Sequence, residues 1–363
     1  MSRDTASRNV DIPLPHTLTV LCTYQCTAAC AQCCFESSPK VQGRLSLETI
    51  LARITEAKES FSSLSLVVFS GGEAFLLKDD LYASIAHSTA LGMMTRVVTN
   101  GSWGKTHASA SSVVKKLVAA GITEINISTG LDHLQWVPQS SVANAALALC
   151  EKGVRTLVTV EADTPNSDCH ASLASNPLIL KALRSGGLQL QSNSWMAFSE
   201  GAEQRKRSVE ESQLNSGCAQ IFGNIVVTPH DNLSACCGLT LEHIPELRLG
   251  KNTGQNMREL YASQFDDFLK FWIHVEGPAQ IVKRVMGSRA CDLLADVTHI
   301  CQACVILHKT PEIRERIAAD YGKYVPGVMT RFAISAQVNR AVAQAAQISA
   351  HESLSSAQTI AEV

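Results

Sequence analysis

The chain has 363 residues, 45% of them hydrophobic and 18% charged, with a formal net charge of -2 at pH 7. That length and apolar content can bury a large core and suggest about two domains, and the near-balanced charge gives no electrostatic case for nucleic acid. No run approaches the roughly 18 apolar residues of a membrane span, and the N-terminal "MSRDTASRNVDIPLPH" has no apolar stretch behind its arginines, so the expected location is the cytoplasm.

From about residue 16 to 195, apolar strand-like runs alternate with helical patterns. The expected strands are Thr17 to Cys22, Leu64 to Ser70, Thr95 to Asn100, Glu124 to Thr129, Arg155 to Glu161 and Leu188 to Trp195. Between the first two lies "SLETILARITEAKESF", where Ser46 precedes Leu47, Ile50, Leu51 and Ile54 at the spacing of a buried helix stripe. Six such units imply an α/β fold with a parallel sheet and outer helices.

Loops that follow parallel strands open on one side, so the residues just after the strands converge. These are the cysteine run after the first strand, "SGGE" (Ser70 to Glu73), "TNGSWG" (Thr99 to Gly104), "STGLD" (Ser128 to Asp132) and "VEAD" (Val160 to Asp163). All five are expected to line one mouth. "EGAEQRKRSVEE" mixes both signs of charge and reads as a solvated helix face. "GNIVVTPHDNLSACC" then reads as two short strands around a Pro-x-Asp-Asn turn. From about Thr310 the pattern is helical, ending in an Ala/Gln/Ser-rich tail.

The chain holds thirteen cysteines, an odd count that full pairing would not leave. In a reducing compartment, clustered cysteines serve more often as metal ligands or reactive groups than as disulfides. "CTAACAQCCF" spaces them as Cys26-x3-Cys30-x2-Cys33, with Cys34 attached. Three thiolates can cap three corners of an iron-sulfur cube and leave one iron without a protein ligand. A structural zinc site wants four ligands, and Cys22 or Cys34 would supply the fourth. Spacing alone leaves both readings open.

At this point the sequence resembles the radical S-adenosylmethionine (radical SAM) superfamily, whose signature is Cys-x3-Cys-x2-Cys in the loop after the first barrel strand. The resemblance implies a partial (β/α)6 TIM-like barrel and a SAM-binding 4Fe-4S cluster on Cys26, Cys30 and Cys33. The open iron would chelate SAM, and an electron from the cluster would cleave it to methionine and a 5'-deoxyadenosyl radical. Gly71, Gly72 and Glu73 match the element that meets the methionyl amino group, where bare glycine backbone approaches a ligand closely. Thr99, Asn100 and Gly101 resemble the ribose-contacting turn, and Ser128 and Glu161 sit where later strands reach the nucleoside. Gln32 departs from the aromatic residue common before the third cysteine.

"CAQIFGNIVVTPHDNLSACCG" resembles the SPASM or shorter twitch extension of these enzymes, with Pro229 and Cys236 matching and His230-Asp231 in place of Asp-Gly. The resemblance implies one auxiliary 4Fe-4S cluster on Cys218, Cys236, Cys301 and Cys304, with Cys291 a possible substitute and zinc the alternative metal. The expected divisions are an N-terminal extension (1–15), the barrel (16–205), the small cysteine-rich domain (206–310) and a helical segment and tail (311–363).

Enzymes of this type mostly act on peptides, which implies modification of a ribosomally made precursor peptide. In radical SAM peptide epimerases a similar Cys-Cys pair returns a hydrogen atom to the α-carbon. Cys237 is therefore the expected hydrogen donor for conversion of L- to D-residues, weighed against a small buried hydrophobe beside the cluster. A thioether or carbon-carbon cross-linking enzyme is the second reading, and a zinc-binding interaction protein the third. An external electron donor such as flavodoxin or ferredoxin is expected. Because the first sixteen residues are too few for a leader-recognition domain, a leader-binding partner is a further expectation. Trp103 reads either as a radical shield or as packing; His133 and His230 read as surface loop residues.

Overall fold

The computed structural model describes residues 13–162, 168–194, 196–197, 214–252 and 255–342. Asp163, Trp195, the mixed-charge run, the boundary at 205/206 and the tail beyond 342 lie outside them.

All six expected strands form: β1 (Thr17–Leu21), β2 (Leu66–Ser70), β3 (Met94–Thr99), β4 (Glu124–Thr129), β5 (Arg155–Ala162) and β6 (Leu188–Ser194). They pair in parallel in the order β6-β5-β4-β3-β2-β1. Along β2 to β4 burial alternates residue by residue. The outward set, including Val67, Phe69, Val97, Ile125 and Ile127, is fully buried beneath the helices. The inward set stays half-open because it faces a cavity instead of a second layer.

The helix Leu47–Ser60 shows how the sequence writes the outer layer. Ser46 caps its first turn by accepting from Thr49 N at 3.1 Å, and Ile50, Ile54 and Ala57 form the buried stripe.

The sheet does not stop at the barrel. β7 (Asn224–Val227) pairs in parallel with β1, and β8 (Asn232–Ser234) and β9 (Arg248–Lys251) extend it in antiparallel fashion to nine strands. The hairpin read as the start of a separate small domain is thus hydrogen-bonded into the barrel's own sheet. A second apolar core then gathers Ile221, Phe222, Phe271, Trp272 and Phe332 among helices. The last described helix spans 325–342. Among the described residues no helix is long and apolar enough to cross a membrane.

Asp231 explains why the β7–β8 turn manages without glycine. Its φ is +59°, the left-handed region that Asp tolerates better than most residues. Arg53 on the first helix grips the carboxylate with two bonds of 2.7 Å. The same guanidinium donates to Glu56, whose other oxygen caps Met257 N at 2.8 Å. Arg53→Ala is expected to cost about 1.5–3 kcal/mol, the range for hydrogen bonds to charged groups. A fall of several degrees in the unfolding midpoint would register the loss, whereas an unchanged midpoint would show the link to be idle.

Candidate functional site

The five strand-end segments do converge. A cavity of about 750 Å³ is walled by Cys26, Cys30, Cys33 and Cys34 from the loop after β1, by Ser70, Gly71 and Gly72 after β2, and by Thr99 and Asn100 after β3. Ser128, Asp132 and His133 follow from β4, and Glu161 from β5.

The paired glycines also serve the fold. A Cβ on Gly72 would lie 2.3 Å from Gln25 O, and one on Gly71, whose φ is +122°, would lie 2.4 Å from Thr23 O. The close approach they permit is to the backbone of the cysteine loop, sealed by Gly72 N to Thr23 O at 2.7 Å and Glu73 N to Gln25 O at 3.0 Å. Both glycines still face the cavity.

Glu73 is fully buried and is not a wall of the cavity. Its carboxylate accepts from Phe75 N (3.1 Å), Thr99 Oγ1 (2.9 Å) and Asn100 N (2.9 Å). Burial pushes its pKa up while these donors pull against the shift. It clamps the end of β3 to the end of β2.

His133 corrects the expectation of a surface loop residue. Gly130, with φ +150°, turns the chain after β4 into the short helix Leu131–Leu134, whose Asp132 and His133 line the cavity. There His133 Nδ1 lies 3.2 Å from Glu161 Oε2. Burial opposes charge on the ring, but the hydrogen bond and charge of Glu161 outweigh it, and the pKa rises. A Cβ at Gly130 would approach Glu161 Cβ to 2.8 Å, so the glycine makes room for this pair. His230 is exposed, as expected. Trp103 is packing: it rests on Phe75 at 5.1 Å and donates to Thr99 Oγ1 at 3.2 Å.

Two thiols of the loop already receive backbone donors, Cys26 Sγ from Ala28 N and Cys33 Sγ from Ser37 N, each at 3.4 Å. Burial raises Cys26 to about 11 and, with the charges of Cys33 and Glu161, Cys30 to about 12. Cys33 is lowered to about 6, first by the hydrogen bond from Cys34 and then, against burial, by backbone donors at Ser37 and Phe35. Cys22 is fully buried in the barrel core with its Sγ turned to Val20 O at 3.5 Å, so it is no ligand.

These shifts carry a pH prediction for the iron-free protein. The folded pKa of Cys33 lies below the ordinary 9.0, so its contribution to stability is fully present above about 9 and lost as pH falls through about 6. At pH 7.5 iodoacetamide should therefore alkylate Cys33 about tenfold faster than Cys26 or Cys30. Peptide mass mapping of a labelling time course checks this; equal rates would contradict it.

The second set also assembles. Cys236 lies within electrostatic reach of Cys218 and Cys301, and Cys304 within reach of the same two. Burial raises all four thiols, Cys236 and Cys304 most strongly. Gly238 leaves the space beside them open, because a Cβ there would meet Cys236 Sγ at 3.0 Å and Cys301 Sγ at 3.1 Å. Gly238 N also donates to Cys236 Sγ at 3.0 Å. Cys291 is exposed on the helix Ala290–Leu294 and stands outside this electrostatic group.

Both sets fit an iron-sulfur cluster in donor chemistry. Cys33 apart, burial favours their neutral thiols, which would ionise with a cation's charge beside them. Among the described residues no three His, Cys, Asp or Glu are arranged to hold a single metal ion.

Cys237 turns away from its neighbour and lines the large cavity. Its Sγ donates to Gln220 Oε1 at 2.8 Å and accepts from Asn224 Nδ2 at 3.1 Å. Asn224 is held in turn by Thr19 Oγ1 at 3.1 Å. Neither amide was singled out from the sequence. The register that brings Asn224 opposite Thr17 is a property of the β1–β7 pairing.

The Radical SAM superfamily model matches residues 20–134. No curated protein matches the chain. Among solved structures, native anSMEcpe with bound AdoMet and Cp18Cys peptide is similar at a TM-score of 0.51 and 14% identity, over 87% of this chain and 99% of that one. A histidine-tagged anSMEcpe with bound AdoMet gives 0.51 and 13% over the same shares. BtrN in complex with AdoMet and 2-DOIA gives 0.43 and 16%, over 71% of this chain and 87% of that one. The matched stretch holds Cys26, Cys30 and Cys33 and the Gly71-Gly72-Glu73 segment, so that part of the chain is similar to the radical SAM superfamily.

Proposed function

We propose that the protein is a peptide-modifying radical SAM enzyme that converts L-residues of a ribosomally made precursor peptide to D-residues. The observation that carries this reading is that the Cys237 thiol and the loop of Cys26, Cys30 and Cys33 wall one cavity. The bound peptide in the anSMEcpe structure supports the substrate class. When bound, the cluster and SAM supply a deoxyadenosyl radical that takes hydrogen from an α-carbon.

This chain's residues do the rest. Gly71, Gly72, Thr99, Ser128 and Glu161 form the SAM-facing wall. Cys237 returns a hydrogen atom to the opposite face, and one electron with one proton restores its thiol. Flavodoxin or ferredoxin is the proposed electron source, and a partner protein the proposed holder of the leader. Cys218, Cys236, Cys301 and Cys304 hold the auxiliary cluster.

Cross-linking is the second reading, favoured by that same auxiliary site, which would accept the surplus electron. Turnover in heavy water separates the two. With a candidate precursor peptide as substrate, epimerisation adds one solvent deuterium per converted residue and leaves the formula otherwise unchanged. A product lighter by two hydrogens would replace epimerisation with cross-linking.

A further inference from the structure

Asn100 directly follows β3 at 6% exposure, and both polar atoms of its side chain are engaged. Its Oδ1 accepts from Ser102 N at 3.0 Å. Its Nδ2 carries two protons. One reaches Thr27 Oγ1 at 3.0 Å, and Cys26 Sγ lies 3.6 Å from the same nitrogen. The backbone is equally held, because Asn100 N donates to the fully buried Glu73, whose own N–H bonds Gln25 O in the cysteine loop. The ends of β1, β2 and β3 are thus tied together by bonds that finish on an amide facing a thiol.

We propose that Asn100 is a positioning and tuning residue for the cluster on Cys26, Cys30 and Cys33, its amide donating to the Cys26 sulfur, and not a ribose contact. The inference rests on the cluster reading. Reduction adds negative charge that spreads onto the ligand sulfurs, and an N–H donated to a sulfur stabilises the reduced form and raises the potential. Ala28 N also donates to Cys26, but it is backbone and survives any side-chain change. Asn100 is the side chain through which the sequence can adjust this term.

The test uses the full chain, reconstituted with iron and sulfide without oxygen. The reduced signal that responds to added SAM is followed by electron paramagnetic resonance at a fixed solution potential. In Asn100→Ala the reduced fraction should fall several-fold. In Asn100→Asp it should fall at least as far, because a carboxylate removes the donor and adds charge. The SAM concentration giving half the spectral change should stay the same.

An unchanged reduced fraction overturns the proposal, and a tenfold rise in half-saturating SAM beside it would return Asn100 to the ribose. If Asn100→Ala does not keep its irons, Thr27→Val decides. That variant strips the amide of its other anchor, so a smaller drop in the same direction supports the proposal and no drop overturns it. A wild-type protein without any SAM-responsive signal would remove the cluster itself, which is a separate failure.

Discussion

Replacing Cys30 with alanine is expected to abolish SAM cleavage and to lower iron from about eight to about four per chain. The Cys30 thiol is pushed up to about 12 by burial first, then by the charges of Cys33, Glu161, Cys26 and Asp132. A sulfur in that setting becomes a thiolate only when a cation compensates it, so ligand and cluster form together. With Cys30 gone the cube keeps two protein ligands. Cys34 is not a ready replacement, because its thiol is spent on the hydrogen bond that holds Cys33 ionised. Cys34→Ala should accordingly keep its irons. Cys304→Ala is the matching control in the other set: about four irons should go while SAM cleavage stays. Cleavage that persists in Cys30→Ala would leave the proposed chemistry without a source.

The strands were legible because a parallel sheet under outer helices imposes alternation on one face, and Val67, Phe69, Val97, Ile125 and Ile127 write that face plainly. The convergence of the strand-end loops followed from topology alone, and the cavity wall bears it out. His133 was misjudged because its role depends on the turn at Gly130, φ +150°, after which Asp132 and His133 join the cavity wall. A His four residues past a strand end reads as loop until that turn is known. The clamp made by Glu73 was illegible for a related reason: its partners Thr99 and Asn100 lie 26 and 27 positions on, across a helix and a strand. The β1–β7 pairing was illegible because two short strands about 200 residues apart carry no local mark of each other. In the β7–β8 turn, aspartate held by Arg53 does the work usually left to glycine, so a motif judged by its missing glycine understates itself.

Cys237→Ala should lower D-residue formation by about a hundredfold or more, the scale on which loss of a transferring group acts, while 5'-deoxyadenosine still forms. The adjacent thiols divide the labour by direction. Cys236 is 7% exposed beside Cys218 and Cys301, whereas Cys237 opens on the cavity between Gln220 and Asn224. A hydrogen-atom donor must keep its hydrogen, and burial raises the Cys237 thiol from 9.0 to about 11. Because the folded value lies above the ordinary one, the stabilisation belongs to the neutral thiol. It is fully present below about 9 and lost as pH rises through about 11. D-residue formation should therefore not decline between pH 7 and 9 through ionisation of this group, where an ordinary thiol would be half ionised. In heavy water the alanine variant should give peptide that keeps its L-residues and gains no α-deuterium. Cys237→Ser, which preserves the size of the side chain but has an O–H bond too strong to give up its hydrogen, should behave like alanine. D-residues formed at the wild-type rate in either variant would assign the hydrogen to another donor and reduce Cys237 to packing beside the auxiliary site.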